Sequence, residues 1–448
     1  MEHGEGKKAI LECPAGFSIS TDGGFSPGHE ETLVRLYPEE IEVLIPGGRI
    51  IGYRYREILQ IDPGDYQLLL TPASGDKFRL SHLGYLYEDF TTTLFHLRSE
   101  MLIKDMLMQE TIHKKGLGGE YVFMENSGRE LQRGPCESRL YKTALVIIPE
   151  QNDPIRIPFS EISKIEKVEH QLLITTEEGH KFIFSMMGYQ LDPFKKALYE
   201  AMGEVERDTR TLITSLVPGI DSHEINRCAH LFREGKAARR SEVETCAPGL
   251  WDELEKSLAV SPIAKEYACL KSLSRQDKIC IGVKKGLMGD LDREYIWCLF
   301  PIYSLDPAQP GNALAMESFS GLENGVSRAT YFFRIVGRDI YPTFTDLQEL
   351  HLETDRFITR INRCLIAINF RREPIYLPEE KLTEPRYIKY RYALHRIPAL
   401  QILREHFIGR VNHVSFEQWR QDVQDLLQFN TGARDNQCQW SKGNDRQS

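Results

Sequence analysis

The chain has 448 residues, a hydrophobic fraction of 41% and a formal net charge of −9. That length accommodates about three ordinary domains and that hydrophobicity can fill their cores, which excludes a chain disordered throughout. The N-terminus lacks a secretory signal pattern and no long apolar run follows, so the expectation is a cytoplasmic protein without a transmembrane segment.

In chain order, short β-type runs come first: Glu42 to Ile45, Arg49 to Tyr55, Ile58 to Ile61, Tyr66 to Thr71 and Lys77 to Leu80. Pro46-Gly47-Gly48, Asp62-Pro63-Gly64-Asp65 and Pro72-Ala73-Ser74-Gly75-Asp76 punctuate them, as turns do in an antiparallel meander. After Gly84-Tyr85 the period changes. Phe90, Leu94, Leu97 and Met101 follow the 4, 3, 4 spacing of an amphipathic helix. The same order recurs from Leu145 to Phe184, followed by Phe194, Leu198, Ala201 and Val205.

The recurrence is a duplication. Between Glu57–Leu94 and Glu161–Leu198, fifteen of thirty-eight positions are identical at a constant offset of 104, including Gly84, Tyr85, Phe90 and Leu94. Arg35-Leu36-Tyr37 returns at Arg139-Leu140-Tyr141, so the unit is of domain length rather than a solenoid repeat. About a hundred residues of meander closed by one helix resemble the pleckstrin-homology-like superfold, over residues 8 to 204 as two copies. The resemblance implies two antiparallel β-barrels, each closed by a C-terminal helix. It also implies a peptide partner lying along an exposed strand edge beside that helix.

Residues 8–109 and 110–205 are therefore expected as the two repeats, 206–278 as a helical connector, and 279–373 as strands followed by a long helix. The whole is an α+β protein. The connector reading rests on capping residues Asp221 to Glu224 and on short apolar stripes such as Trp251, Leu254 and Leu258. Strands then one long helix, Leu347 to Phe370, repeats the earlier order, and leaves open a diverged third copy. Residues 374–430 are read as a basic helical extension and 431–448 as a disordered tail.

Arg356 to Arg410 holds twelve Lys or Arg against five Glu, leaving −16 on the rest of the chain. Such opposition either steers nucleic acid or anionic lipid to one face or holds this segment on the protein's own acidic domains, and the second reading is favoured. Within it Arg386, Lys389 and Arg391 interleave with tyrosines, a mixture that suits polyanions and also ordinary packing. In the first repeat Arg54 and Arg56 share one face of a predicted strand, with Ile51, Tyr53 and Tyr55 on the other. The second copy replaces both arginines by Pro158 and Ser160, as expected of solvated charges.

Metal and catalytic signals are weak. The nine cysteines form no Cys-x-x-Cys pair, and His223, Cys228 and His230 lack zinc spacing. Asp290, Asp292 and Glu294 alternate as a divalent-ion strand would, but read better as an acidic turn. No phosphate loop, nucleophile elbow or His-Glu-x-x-His helix is present. The expectation is a non-enzymatic interaction or scaffold protein without cofactor or metal, taking a protein or peptide partner, with anionic lipid or nucleic acid on the basic segment as the alternative.

Overall fold

In a computed structural model, residues 8–21, 24–25, 28–105, 110–285, 294–306, 308–320, 329–367, 372–432 and 436–439 are described. Asp290 and Asp292 lie outside them, as do the end of the long helix and most of the polar tail. The chain divides into two compact units, the first formed by residues 1–157, 162–195 and 388–396.

The first unit holds repeat 1 and the sheet of repeat 2, while Pro158–Glu161 and the part of the repeat 2 helix from Lys196 onward belong to the second unit. Repeat 1 runs β1 (Leu11–Thr21), β2 (Gly24–Phe25), β3 (His29–Leu36), β4 (Glu40–Ile45), β5 (Arg49–Arg54), β6 (Ile58–Gly64), β7 (Gln67–Pro72), β8 (Lys77–Ser81) and α1 (Tyr87–Asp105). Repeat 2 runs β9 (Ile112–Met124), β10 (Glu130–Tyr141), β11 (Ala144–Pro149), β12 (Ile155–Pro158), β13 (Ile162–Val168), β14 (Gln171–Thr176), β15 (Lys181–Ser185) and α2 (Leu191–Leu216). Their sheets have the same path, β5-β4-β3-β1-β8-β7-β6 and β12-β11-β10-β9-β15-β14-β13, with the short β2 attached to β1. Equivalent strands alternate identically between core and surface: β7 and β14 share one burial pattern, and β8 and β15 another. Each pattern puts period-two apolar residues on one buried face.

The expected closure into barrels does not occur through pairing, because each sheet ends on two separate edges, β5 and β6 or β12 and β13. A 3-10 turn, Tyr55–Glu57 or Phe159–Glu161, redirects the chain there. Tyr55 anchors the first of these turns, buried with its hydroxyl donating to Tyr37 O at 2.7 Å. The predicted strand over Arg49 to Tyr55 therefore stops at Arg54, and Arg56 lies on the turn.

The helix stripes are as the spacing requires. Phe90 and Leu94 are fully buried in the repeat 1 core, and Phe194 meets Phe184 edge-on with centroids 5.7 Å apart. α1 is also buried on a second side. Ile103 packs with Tyr141, Val146 and Ile148 of repeat 2, Arg98 donates to Asp153, and Glu100 accepts from Arg139. One helix thus closes its own sheet and joins the two copies.

The second unit contains α3 (Ser222–Cys228), β16 (Ala238–Arg239), α4 (Arg240–Cys246), α5 (Leu250–Ala259), α6 (Ala264–Leu273), β17 (Cys280–Lys285), β18 (Glu294–Ile302), β19 (Ala313–Ser320), β20 (Ala329–Arg334), α7 (Leu347–Ala367), α8 (Arg372–Ile375) and α9 (Glu379–Leu382). α10 (Ile388–Arg396) returns to the first unit, and α11 (Pro398–Glu405), β21 (Phe407–Asn412) and α12 (Phe416–Gly432) complete the second. Its six strands lie in simple sequence order, β16 to β21, a path unlike that of the repeats. Helices expected as a connector share one core with this sheet: Trp251, Leu254 and Tyr267 pack with Phe300, Phe332 and Trp419. Tyr376 covers the other face through Tyr331, Phe333 and Phe407. Every residue of β20 is accordingly buried, as befits a strand with apolar layers on both sides. Part of the expected tail is also structured, since Asn436 and Gln437 carbonyls accept from Arg334 and Gln439 bridges Gly409.

Candidate functional site

The β4–β5 hairpin turns on Gly47 and Gly48, whose φ of 98° and 84° suit glycine. β5 pairs with β4 from Glu40↔Arg54 to Ile45↔Arg49. Tyr55 N–H donates to Glu39 O at 3.0 Å, so by the alternation of an antiparallel ladder Tyr53, Ile51 and Arg49 are the residues bonded inward. Ile50 and Gly52 consequently turn their N–H and C=O groups away from the sheet. Arg54 N–H points outward too and donates to Glu57 Oε2 at 3.3 Å. Packing fixes this edge from behind: Tyr53 stacks on Phe78 with centroids 4.7 Å apart, while Ile50 is 58% exposed and Gly52 and Arg54 are exposed.

Repeat 2 treats the equivalent edge differently. At the repeat offset, Ile50 and Arg54 become Pro154 and Pro158, so the two outward N–H donors are missing. Gly52 becomes Arg156, whose guanidinium binds Glu110 at 3.1 Å and Thr143 at 2.9 Å. One copy has a blunted edge and the other an open one.

The edge expected to receive a peptide, beside the closing helix, is β6 in repeat 1. Its first carbonyls are already used. Ile58 O and Leu59 O accept from Arg98, and Ile58 O accepts again from Arg396 of α10.

The basic candidates divide between the units. α10 packs on α1 and on the Tyr55–Glu57 turn, which brings Arg391 toward Arg54 and Arg56. Burial, then Glu57, raise the Tyr392 phenol above its ordinary value, while Arg391, Arg54 and Arg56 oppose that rise, so all three guanidiniums act on one ring. Arg56 also donates to Met101 Sδ at 3.0 Å. Arg386 belongs to the other unit, paired with Glu384 at 2.9 Å and lying over the Tyr387 ring. The Lys389 side chain is outside the described residues.

One cluster has no counterpart in the sequence reading. In the second unit His413 lies between Glu266 and Glu317, its ring nitrogens 3.2 Å from each carboxylate. Thr330 donates to Glu317 and accepts from Trp419 Nε1 at 2.8 Å. Burial pulls the His413 pKa down, but hydrogen bonds to Glu266 and Glu317 outweigh it and push it up to about 9. The imidazolium thus offsets a fully buried carboxylate. These residues come from α6, β19, β20 and the β21–α12 turn, so no local motif announces them.

Burial raises the thiols of Cys228 to about 11 and Cys280 to about 12, away from the range of an activated nucleophile. Among the described residues no group of three or more His, Cys, Asp or Glu is placed to hold a metal ion, and no helix is long and apolar enough to cross a membrane. No protein-family model matches the chain, and no curated protein matches it.

Proposed function

We propose that this is a non-enzymatic interaction protein that takes an extended peptide segment of a protein partner as an added strand on β5. The carrying observation is the pair of outward-facing backbone groups at Ile50 and Gly52, kept open in repeat 1, where repeat 2 has Pro154 in place of Ile50 and Arg156 in place of Gly52. Backbone hydrogen bonds supply affinity in such a contact and side chains supply selectivity. The common strand path and closing helix of the two repeats support a pleckstrin-homology-like ancestry, with the docking edge at β5. Polyanion binding by the basic segment is the lesser reading, because four of its arginines are engaged within the chain: Arg356 with Glu353, Arg386 with Glu384, Arg396 with Ile58 O, and Arg404 with Glu379.

The test copies repeat 2 into repeat 1. Arg54 already has φ −70°, which proline adopts without strain, and position 50 accepts proline in the second copy. The Ile50→Pro/Arg54→Pro variant gives up the exposed Arg54 N–H bond to Glu57 but should keep the cooperative fold of the parent, yet lose the peptides that the parent selects from a displayed random library. Equal selection by both proteins overturns strand addition at β5.

A further inference from the structure

The side chains flanking β5 specify what kind of strand it takes, an inference that rests on the strand-addition reading. On the outer face of the repeat 1 sheet, cross-strand neighbours form rows. One is apolar: Pro14, Leu33, Leu44 and Ile50 are successive partners. The next alternates in charge, Glu12, Arg35 and Glu42, and ends at Gly52. Glu12 and Arg35 are ion-paired, and among the described residues Glu42 has no ion-pair partner. The third row places Glu40 opposite Arg54. Beyond Arg54 stand Arg56 and Arg391, with Glu57 as the nearby carboxylate.

Each row stops at the β5 edge and continues onto whatever strand is added there. Directly opposed residues on one face interact, favourably for opposite charges and for apolar pairs, and unfavourably for like charges. Gly52 has no side chain, so a long side chain opposite it reaches across to Glu42. We infer that the partner is an antiparallel strand reading, from its N-terminus, acidic residue, any, Lys or Arg, any, aliphatic. Its acidic residue lies against Arg54, its basic residue over Gly52 toward Glu42, and its aliphatic residue against Ile50. Residues preceding the acidic one meet Arg56 and Arg391, so further carboxylates there strengthen the contact. An antiparallel addition continues the pairing of the whole sheet.

The probes are two synthetic peptides of equal composition, with cores Glu-Thr-Lys-Thr-Val and Lys-Thr-Glu-Thr-Val, in identical flanks, titrated into the full chain. Two readouts are taken: affinity, and hydrogen-exchange protection of the Ile50 and Gly52 amides. The first core should bind about 10-fold more tightly, since the swap converts two favourable cross-strand pairs into unfavourable ones. The Arg54→Glu/Glu42→Lys variant should invert the preference. Equal affinities with both amides protected overturn the proposed pattern and leave strand addition standing. If neither peptide protects those amides, strand addition itself fails and the pattern with it.

Discussion

At the residue scale, the most consequential side chains are ones the duplication retains or the core surrounds. Phe194 is fully buried against Phe184, so Phe194→Ala should cost about 3–5 kcal/mol, read as a shift in the denaturant midpoint. A loss below about 1 kcal/mol would mean that the helix does not close the sheet. His413 carries a pH dependence whose sign follows from its raised pKa. Its ordinary value is 6.5 and its folded value about 9, so its stabilising contribution is fully present below about pH 6.5 and disappears as pH rises through about 9. Thermal melts of the parent should fall across that window, and His413→Gln should be less stable than the parent at pH 6 and flatter across the range. Identical pH profiles would remove the imidazolium from this role. Two other side chains, Tyr85 and Tyr189, are retained in both copies at 93% and 89% exposure, and nothing in the fold accounts for them.

At the scale of elements, the strand-to-helix turns show how closely the two repeats correspond. His82 and Gly84 have φ of 56° and 58°, and Met186 and Gly188 have 55° and 54°. A Cβ at Gly84 or Gly188 meets no atom within 4 Å, so the demand for glycine is one of backbone conformation alone. Gly84→Ala and Gly188→Ala should therefore each cost about 1–2 kcal/mol, and similar amounts, in chemical denaturation. Turn residues, period-two alternation and the helix stripes were legible because each is a local property of consecutive residues. The end of β5 was not. Alternation continued through Tyr55, but burial of that ring and its bond to Tyr37 O turn the chain at Arg54, a tertiary effect. Three of the five basic candidates share that fate: their charge was visible, yet only the packing of α10 on the Tyr55–Glu57 turn brings Arg391 near Arg54 and Arg56.

At the scale of the whole molecule, the first unit joins its repeats through α1. Arg98 is buried, donates to the Ile58 and Leu59 carbonyls, and meets Asp153 of the other repeat. Arg98→Ala should cost about 1–3 kcal/mol by removing the Arg98 donor from the Leu59 carbonyl and the contact with Asp153, while Ile58 O keeps Arg396. It should also weaken the coupling between repeats, seen as earlier hydrogen exchange at the Ile103, Tyr141 and Ile148 contact. Unchanged exchange at that contact would assign the coupling to apolar packing alone. Position 98 becomes Met202 at the repeat offset, which marks this joint as a departure from the duplicated pattern.

The sequence by itself determined the duplication, the strand-then-helix order of each copy, the buried Phe90, Leu94, Phe194 and Leu198, and the proline-for-arginine change at the second edge. All of these are carried by spacing and identity along the chain. Only the tertiary structure decided which strand edges are open, that the segment from α3 to α6 shares a core with the last sheet, and that Glu266, His413 and Glu317 meet. Each of those depends on residues far apart in sequence, brought together by burying apolar surface that no local period specifies.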